Sequence, residues 1–290
     1  MNIIQIYNQF PKEIDCLKHL EKVRWNGKPI CPYGECKSLR VTPLKKENRY
    51  HCNACNTSFS VTVGTIFHKT HIDLQKWFLA IALILNAQKG MSARQLMRDI
   101  EVNKNTAWYM AMRIRRAMIE QGELLQNLVE CDETYIGGKN KNKHNNKKTK
   151  GGQGRNTKDK TPVFGILERG GKVRAQKVKD VTKRTLQTLL RANVKEGSKI
   201  MTDEWVSYNG LSPRFAHSVV NHGSGQYVQG EAHTNTLEGF WSLLKRGIIG
   251  QYHQVSNRYL DRYVAEFCYR YNHRDEGDLF AQTLINSVTL

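Results

Sequence analysis

The stretch from residue 129 to residue 138 places acidic side chains inside an otherwise apolar, β-branched run that is closed by two glycines. This pattern predicts a short buried strand that stops at the glycines. On a pleated strand Glu130 and Asp132 point to one face, and Glu133 points to the other. Because a buried carboxylate is unfavourable unless a cation meets it, Asp132, in mid-strand, is the best candidate for a metal ligand. The alternative is an edge strand whose acids face water.

The charge of the chain predicts a polyanionic partner. The 290 residues carry a formal net charge of +19, with a pI near 9.7, which favours nucleic acid, although an anionic membrane surface could use the same charge. No apolar run approaches the roughly 20 residues of a spanning helix, and residues 1–5 lack a secretory signal layout. We therefore expect a cytoplasmic chain without a membrane partner, in which the seven cysteines are metal ligands or free thiols.

Four cysteines form two close pairs, Cys31 with Cys36 and Cys52 with Cys55. Such pairs are typical of a tetrahedral Zn²⁺ site, because each pair supplies two thiolates from one tight turn. Strand-like segments between and after the pairs predict a zinc ribbon, which follows a short amphipathic helix in a first domain, residues 1–70. The alternative is four reduced structural cysteines.

Residues 71–126 predict a helical block. Asp73 and Ser92 are expected to cap two helices, and a third is expected from about Lys104 to Glu120. This succession is typical of a helix-turn-helix that lays one helix in the DNA major groove. An ordinary three-helix bundle with a solvated basic face is the alternative. The predicted DNA contacts of the third helix are Lys104, Asn105, Thr106 and Arg113.

Residues 127–290 predict an α/β domain with a mixed sheet covered by helices. Residues 139–160 hold eight lysines, which predicts a mobile loop that lies along phosphates, or else a solubilising insert without contacts. A β-hairpin is expected within residues 163–178, then a helix opened by Thr182, then a strand that ends on Asp203. The order of strands and helices favours one sheet with helices packed on it.

A later helix supplies a third acid. Asn235, Glu238, Ser242 and Lys245 fall on one polar stripe opposite an apolar face. Asn235 and Glu238 are also spaced as a capping box, and Asp203 could similarly cap a short turn. Three acids from two strands and a helix could hold two divalent ions about 4 Å apart for in-line attack at phosphorus. Oxygen ligands favour Mg²⁺ or Mn²⁺.

With these motifs the chain resembles bacterial insertion-sequence transposases of the DDE type that carry an N-terminal zinc ribbon, the ISXO2-like group. The resemblance lies in the cysteine pairs and in residues 129–135, 202–203 and 233–247. It implies an RNase H-like catalytic domain in which Asp132, Asp203 and Glu238 bind metal. Asn235 is kept as a neighbouring or substitute ligand, because some relatives have asparagine as the third member. The first cysteine pair departs from the family pattern, with four intervening residues where two are expected.

The resemblance also implies a function. Such a transposase recognises the terminal inverted repeats of its own element, cleaves next to them and joins the 3′ ends to target DNA. Pairing two ends implies at least a dimer, associated with the bacterial nucleoid when bound to DNA, and Lys245 and Arg246 are expected to contact the DNA backbone. A metal-dependent nuclease that only hydrolyses, and a zinc-ribbon transcription regulator without catalysis, are the rival hypotheses.

Overall fold

The computed structural model describes residues 1–120, 122–138, 160–220 and 234–289. The predicted basic loop at 139–160 lies outside these residues, except for Lys160, which begins a strand. Contacts divide the chain into two compact units, Met1–Met118 with Glu276–Leu290, and Ile119–Asp275. Within the described ranges, no helix has the length and apolar character needed to cross a bilayer.

The described residues form the following helices and strands. The helices are α1 (Ile3–Gln9), α2 (Glu13–Trp25), α3 (Leu74–Asn86), α4 (Ala93–Asp99), α5 (Lys104–Ala117), α6 (Lys183–Asn193), α7 (Asn235–Gly247), α8 (Leu260–Asn272) and α9 (Leu279–Val288). The strands are β1 (Val41–Leu44), β2 (Arg49–Cys52), β3 (Thr57–Phe59), β4 (Leu128–Gly137), β5 (Lys160–Glu168), β6 (Val173–Lys177), β7 (Lys199–Asp203) and β8 (Ala216–Val220).

Three helices of the first unit, α3, α4 and α5, begin at the residues that the sequence predicts. The Asp73 side chain accepts the N–H of Gln75 at 2.8 Å, and the Ser92 hydroxyl accepts the N–H of Gln95 at 3.2 Å. Both predicted caps are therefore confirmed. Helix α5 starts at Lys104 as predicted and ends at Ala117, one turn earlier than expected.

The C-terminal helix α9 also belongs to this first unit. Phe280 packs edge-on against Phe78 of α3 with ring centroids 5.7 Å apart, and the backbone N–H of Ile66 donates to the carbonyl of Ser287. This division differs from the predicted boundaries at residues 70 and 126 and from a catalytic domain that continues to residue 290. Helices α2, α3 and α5 of the same unit pack against α9, whose buried residues include Phe280 and Leu284.

The zinc-ribbon part of the unit is a three-stranded antiparallel sheet in the order β1-β2-β3. Trp25 at the end of α2 packs against Tyr50 and Phe59, with ring centroids 5.4 and 5.9 Å away. These aromatic contacts supply a core that so small a sheet lacks by itself.

The second unit is built on a five-stranded mixed sheet in the order β6-β5-β4-β7-β8. Strand β5 runs antiparallel to both of its neighbours, β6 and β4, and β7 and β8 continue the sheet parallel to β4. This is the RNase H-like mixed sheet that was predicted. Strand β4 is its centre, so the alternative of an edge strand with solvated acids is wrong.

Helices cover both faces of this sheet, as the alternation of side chains along β4 requires. On one face Val129 and Cys131 are fully buried in a core shared with α6. On the other face Ile136 packs in a core formed with α7 and α8. Of the acidic side chains of β4, Glu130 is fully buried, and Asp132 and Glu133 are half-buried.

Candidate active site

Asp132 and Asp203 meet because their strands are parallel neighbours. The register of β4 and β7 ends with Glu130 opposite Met201, and each aspartate lies two residues further along its strand. Carboxyl ends of parallel strands share one edge of a sheet, where binding sites collect. Carboxylate oxygens of Asp132, Glu133 and Asp203 lie within 4.8 Å of one another.

Glu133 is a member of this cluster that the sequence analysis did not place in the site. It points to the opposite face from Asp132, where the hydroxyl of Tyr208 donates to its carboxylate at 2.6 Å. Beyond the last paired residues of β4 and β7, side chains from both faces of β4 can approach Asp203. The adjacency of two acids at a predicted strand end was the signal that could have identified it.

Asp203 has two roles in the structure. Besides joining the carboxylate cluster, its side chain accepts the backbone N–H of Trp205 at 3.1 Å. The predicted capping of a short turn is therefore confirmed, and it coexists with the cluster because a carboxylate has several lone pairs.

Glu238 lies in the same cavity, on helix α7. The cavity has a volume of about 660 Å³, and its lining includes Asp132, Glu133, Glu238, Lys245 and Arg246. The Thr234 hydroxyl donates to the Glu238 carboxylate at 3.1 Å. Among the described residues, the group of mutually close acids does not include Glu238, so α7 brings it to the cavity but not into the cluster.

Asn235 lies inside α7 and not at the cap position predicted for it. It is exposed, it is the first residue of α7, and it is not among the described residues that line the cavity. The predicted capping box is wrong, because the Glu238 N–H already bonds to the Thr234 carbonyl at 3.0 Å. That bond makes Thr234, one residue earlier, the cap.

The electrostatics of the cavity favour a bound cation. Burial, together with the charges of Asp203 and Glu238, raises the pKa of Asp132 to about 6, although hydrogen bonds from the Glu133 N–H and the Trp241 indole act in the opposite direction. A buried carboxylate with acidic neighbours is stabilised in its charged form by a cation. The clustered carboxylate oxygens suit a divalent ion. Lys245 and Arg246 are exposed in the same cavity and suit a phosphate beside that ion.

Glu130 of β4 forms hydrogen bonds to the first turn of α7, the helix that carries Glu238. Its side chain is fully buried and accepts three hydrogen bonds, each of 2.9 Å, from Arg169 Nε, Thr236 Oγ1 and the backbone N–H of Leu237. A carboxylate at the amino end of a helix is also favoured by the helix dipole. The sequence analysis noted Glu130 only as an acid on the same face as Asp132.

The four predicted zinc ligands come together in the ribbon. The sulfurs of Cys31, Cys36, Cys52 and Cys55 lie within 4.8 Å of one another. Backbone N–H groups of Cys55 and Ala54 lower the pKa of the Cys52 thiol to about 6, whereas burial raises the pKa of the Cys31 thiol to about 12. Zinc binds the thiolate form of cysteine, so the lowered pKa makes Cys52 the ligand most readily deprotonated. The longer first pair is accommodated by a turn with positive φ at Gly34 (46°) and Lys37 (38°).

The candidate DNA contacts of α5 divide into two groups. Lys104 and Asn105 are exposed at the start of the helix, and Thr106 beside them is half-buried. Arg113 has a structural role instead, because its guanidinium donates to the carbonyls of Ile66 and His68 at 2.6 and 2.8 Å. We therefore remove Arg113 from the predicted DNA contacts.

Comparisons with protein families match both units. The model described as the ISXO2-like transposase domain matches residues 124–272, and that described as the transposase zinc-ribbon domain matches residues 11–58. A relative from Halobacterium salinarum, described as an uncharacterized protein in transposable element ISH50, is 31% identical over 258 residues. The match covers 86% of this chain and 87% of the relative.

Solved structures show only a weak likeness. A chain of the simian T-cell lymphotropic virus intasome in complex with PP2A regulatory subunit B56 gamma is 15% identical, with a TM-score of 0.30. The match covers 65% of this chain and 65% of that one, slightly under two thirds of its length. The Mos1 strand transfer complex is 14% identical over 73% of this chain and 74% of that one, with a TM-score of 0.29. Such scores are too low to establish a shared fold.

Proposed function

Because this chain belongs to the DDE-type transposases that combine an ISXO2-like domain with a transposase zinc ribbon, we propose that Asp132, Asp203 and Glu238 form its DNA-cutting and DNA-joining site. The observation that carries the proposal is the meeting of Asp132, Glu133 and Asp203 within 4.8 Å at the end of two parallel strands. Glu238 lines the same cavity from α7.

The residues of this cavity suit a divalent cation, which we propose to be Mg²⁺ or Mn²⁺ because the donors are carboxylate oxygens. Asp132 and Asp203 would hold it, Glu133 would add a third carboxylate, and Glu238 would approach from α7. A bound cation would supply charge stabilisation and lower the pKa of the attacking hydroxyl or water. Lys245 and Arg246 hold the phosphates of the DNA strand that enters the cavity.

Recognition of the element ends is assigned to the first unit. The zinc ribbon and α5 bind the terminal inverted repeats, with Lys104, Asn105 and Thr106 presented at the amino end of α5, where a helix in the major groove makes its base contacts. The net charge of +19 supports binding to the phosphate backbone. Two chains pair two ends, so we propose that the active form is a dimer or larger.

A strand-transfer assay tests the catalytic proposal. Purified protein is incubated with Mg²⁺, a target plasmid and labelled duplexes that carry the DNA ends flanking its gene. Wild type is compared with Asp203→Asn and with Glu204→Gln, a matched control because Glu204 is the exposed neighbour of Asp203 and is not a member of the carboxylate cluster.

We expect joined products from wild type and from Glu204→Gln, and none from Asp203→Asn, which should still bind the ends. Cleavage without joining by the wild type would favour a nuclease. Binding without cleavage, unchanged by Asp203→Asn, would favour a transcription regulator and contradict the proposal.

A further inference from the structure

The indole of Trp241 makes a direct contact with the carboxylate of Asp132. Trp241 Nε1 donates to Asp132 Oδ2 at 2.9 Å, and the ring is only 3% exposed. Trp241 follows Glu238 by three residues on α7, and both side chains line the cavity. One helix therefore supplies an acid to the site and a hydrogen-bond donor to another acid of the same site.

A glycine on the neighbouring strand makes room for this ring. Gly165 of β5 lies directly opposite Asp132 in the antiparallel register. A Cβ at Gly165 would lie 2.4 Å from Cζ2 and 2.6 Å from Cη2 of Trp241. Both contacts are far shorter than carbon atoms tolerate, so the indole can occupy this position only over a residue without a side chain.

The packed ring restricts how the Asp132 carboxylate can rotate. Trp241 is buried in the core formed by α7 and α8, and Phe240 packs beside it with ring centroids 5.3 Å apart. A donor held so firmly directs Oδ2 towards itself and leaves the remaining lone pairs of the carboxylate for a cation. Hydrogen bonds from surrounding residues to a ligating carboxylate typically change metal affinity by about 10- to 100-fold.

We propose that Trp241 is a positioning residue that orients Asp132 for metal binding, and that Gly165 keeps open the slot in which the indole lies. The proposal rests on the assignment of Asp132 to the metal site under the proposed function. It predicts that removing the indole N–H, or displacing the ring, weakens metal binding without removing any carboxylate.

Direct Mn²⁺ binding tests the proposal, measured on the zinc-loaded full chain from the electron paramagnetic resonance signal of free Mn²⁺. Trp241→Phe and Gly165→Ala should each weaken binding by about 10-fold or more. Two controls match them. Trp77→Phe removes an equally buried indole that donates to the Thr70 hydroxyl at 2.9 Å, and Gly239→Ala adds a methyl group on α7 with no atom within 4 Å. Both controls should bind Mn²⁺ as the wild type does.

The double variant Trp241→Phe with Gly165→Ala shows whether the two residues act together. Phenylalanine has no atoms at the Cζ2 and Cη2 positions that the alanine would meet, so we expect the double variant to bind no more weakly than Trp241→Phe alone. Raised Mn²⁺ concentration should restore strand transfer by Trp241→Phe, which general structural damage would not allow.

Three outcomes would overturn the proposal. Wild-type affinity in Trp241→Phe would refute the positioning role and leave the proposed function standing. Independent, multiplicative losses in the double variant would refute the shared slot. Mn²⁺ binding that Asp203→Asn does not weaken would contradict the proposed metal site, and the positioning role with it.

Discussion

Replacing Glu130 with glutamine should destabilise the catalytic unit, because one buried carboxylate receives donors from three directions. Arg169, the Thr236 hydroxyl and the N–H of Leu237 all point at its two oxygens at 2.9 Å. Glutamine keeps one acceptor oxygen but turns an N–H₂ group towards at least one of these donors. The substitution therefore removes the charge and also places donor against donor inside the protein.

The size of the effect follows from burial. Breaking a buried ion pair by removing one partner costs about 3–5 kcal/mol. Glu130 is 0% exposed, but the Arg169 side chain is 24% exposed and can gain hydration, so we expect the lower end, about 3 kcal/mol. For a unit of this size each kcal/mol shifts the melting temperature by about 2–4 °C, which predicts a fall of about 6–12 °C.

Thermal denaturation followed by circular dichroism measures this loss. The matched control is Glu196→Gln, whose partner Arg214 lies at 3.3 Å in an exposed ion pair of the same unit. Such pairs contribute no more than about 1 kcal/mol. Melting of Glu130→Gln within about 2 °C of the control would refute the reasoning that Glu130 holds α7 on β4.

Three further predictions concern pH, zinc and DNA. Because burial raises the pKa of Asp132 to about 6, the protonated carboxyl stabilises the fold, and this stability is lost as pH rises from about 4 through 6. In buffer without divalent cations, Asp132→Asn should therefore melt at a higher temperature than wild type at about pH 7.5. Below about pH 4 the two proteins should melt at the same temperature, and equal melting temperatures at both pH values would contradict the prediction. Removing zinc with a strong chelator should release one ion per chain, measured with a colorimetric zinc indicator, and unfold the ribbon, measured by circular dichroism. Cys36→Ser should bind zinc far more weakly than wild type. A ribbon that stays folded after zinc loss would count against the zinc site. Lys245→Ala should weaken DNA binding and lower the slope of log affinity against log salt by about one in fluorescence anisotropy, and an unchanged slope would exclude a phosphate contact.

Much of the fold could be predicted because its signals are local. Asp73 and Ser92 precede apolar periodic segments and cap their helices through bonds to residues two or three positions away. The position of α9 could not be predicted in this way. Its place in the first unit depends on packing between Phe280 and Phe78, some two hundred residues apart in sequence, and nothing in the local pattern distinguishes that partner from another apolar surface.

The candidate site was only partly predictable. The approach of Asp132 and Asp203 follows from strand ends, which a sequence pattern can locate. Glu133 was missed because alternation along a strand assigns it to the face opposite Asp132. Pairing of β4 with β7 ends at Glu130, and beyond that point alternation constrains the direction of side chains towards β7 less. Arg113 was placed on DNA from its charge alone, while its acceptors are two backbone carbonyls at residues 66 and 68, and composition gives no information on those.

The place of α9 has a consequence for how the protein is made. On the ribosome, residues 119–275 emerge as one uninterrupted segment and can complete their five-stranded sheet from contacts within that segment. The zinc-ribbon and helical segments emerge earlier, but the apolar surfaces of α2 and α3 that contact α9 are covered only after α9 has been synthesised. A nascent chain that stops before residue 279 would thus carry a complete five-stranded sheet together with a first unit that still lacks α9. Until α9 is made, α2 and α3 expose apolar surface, and such surface favours aggregation of an incomplete chain.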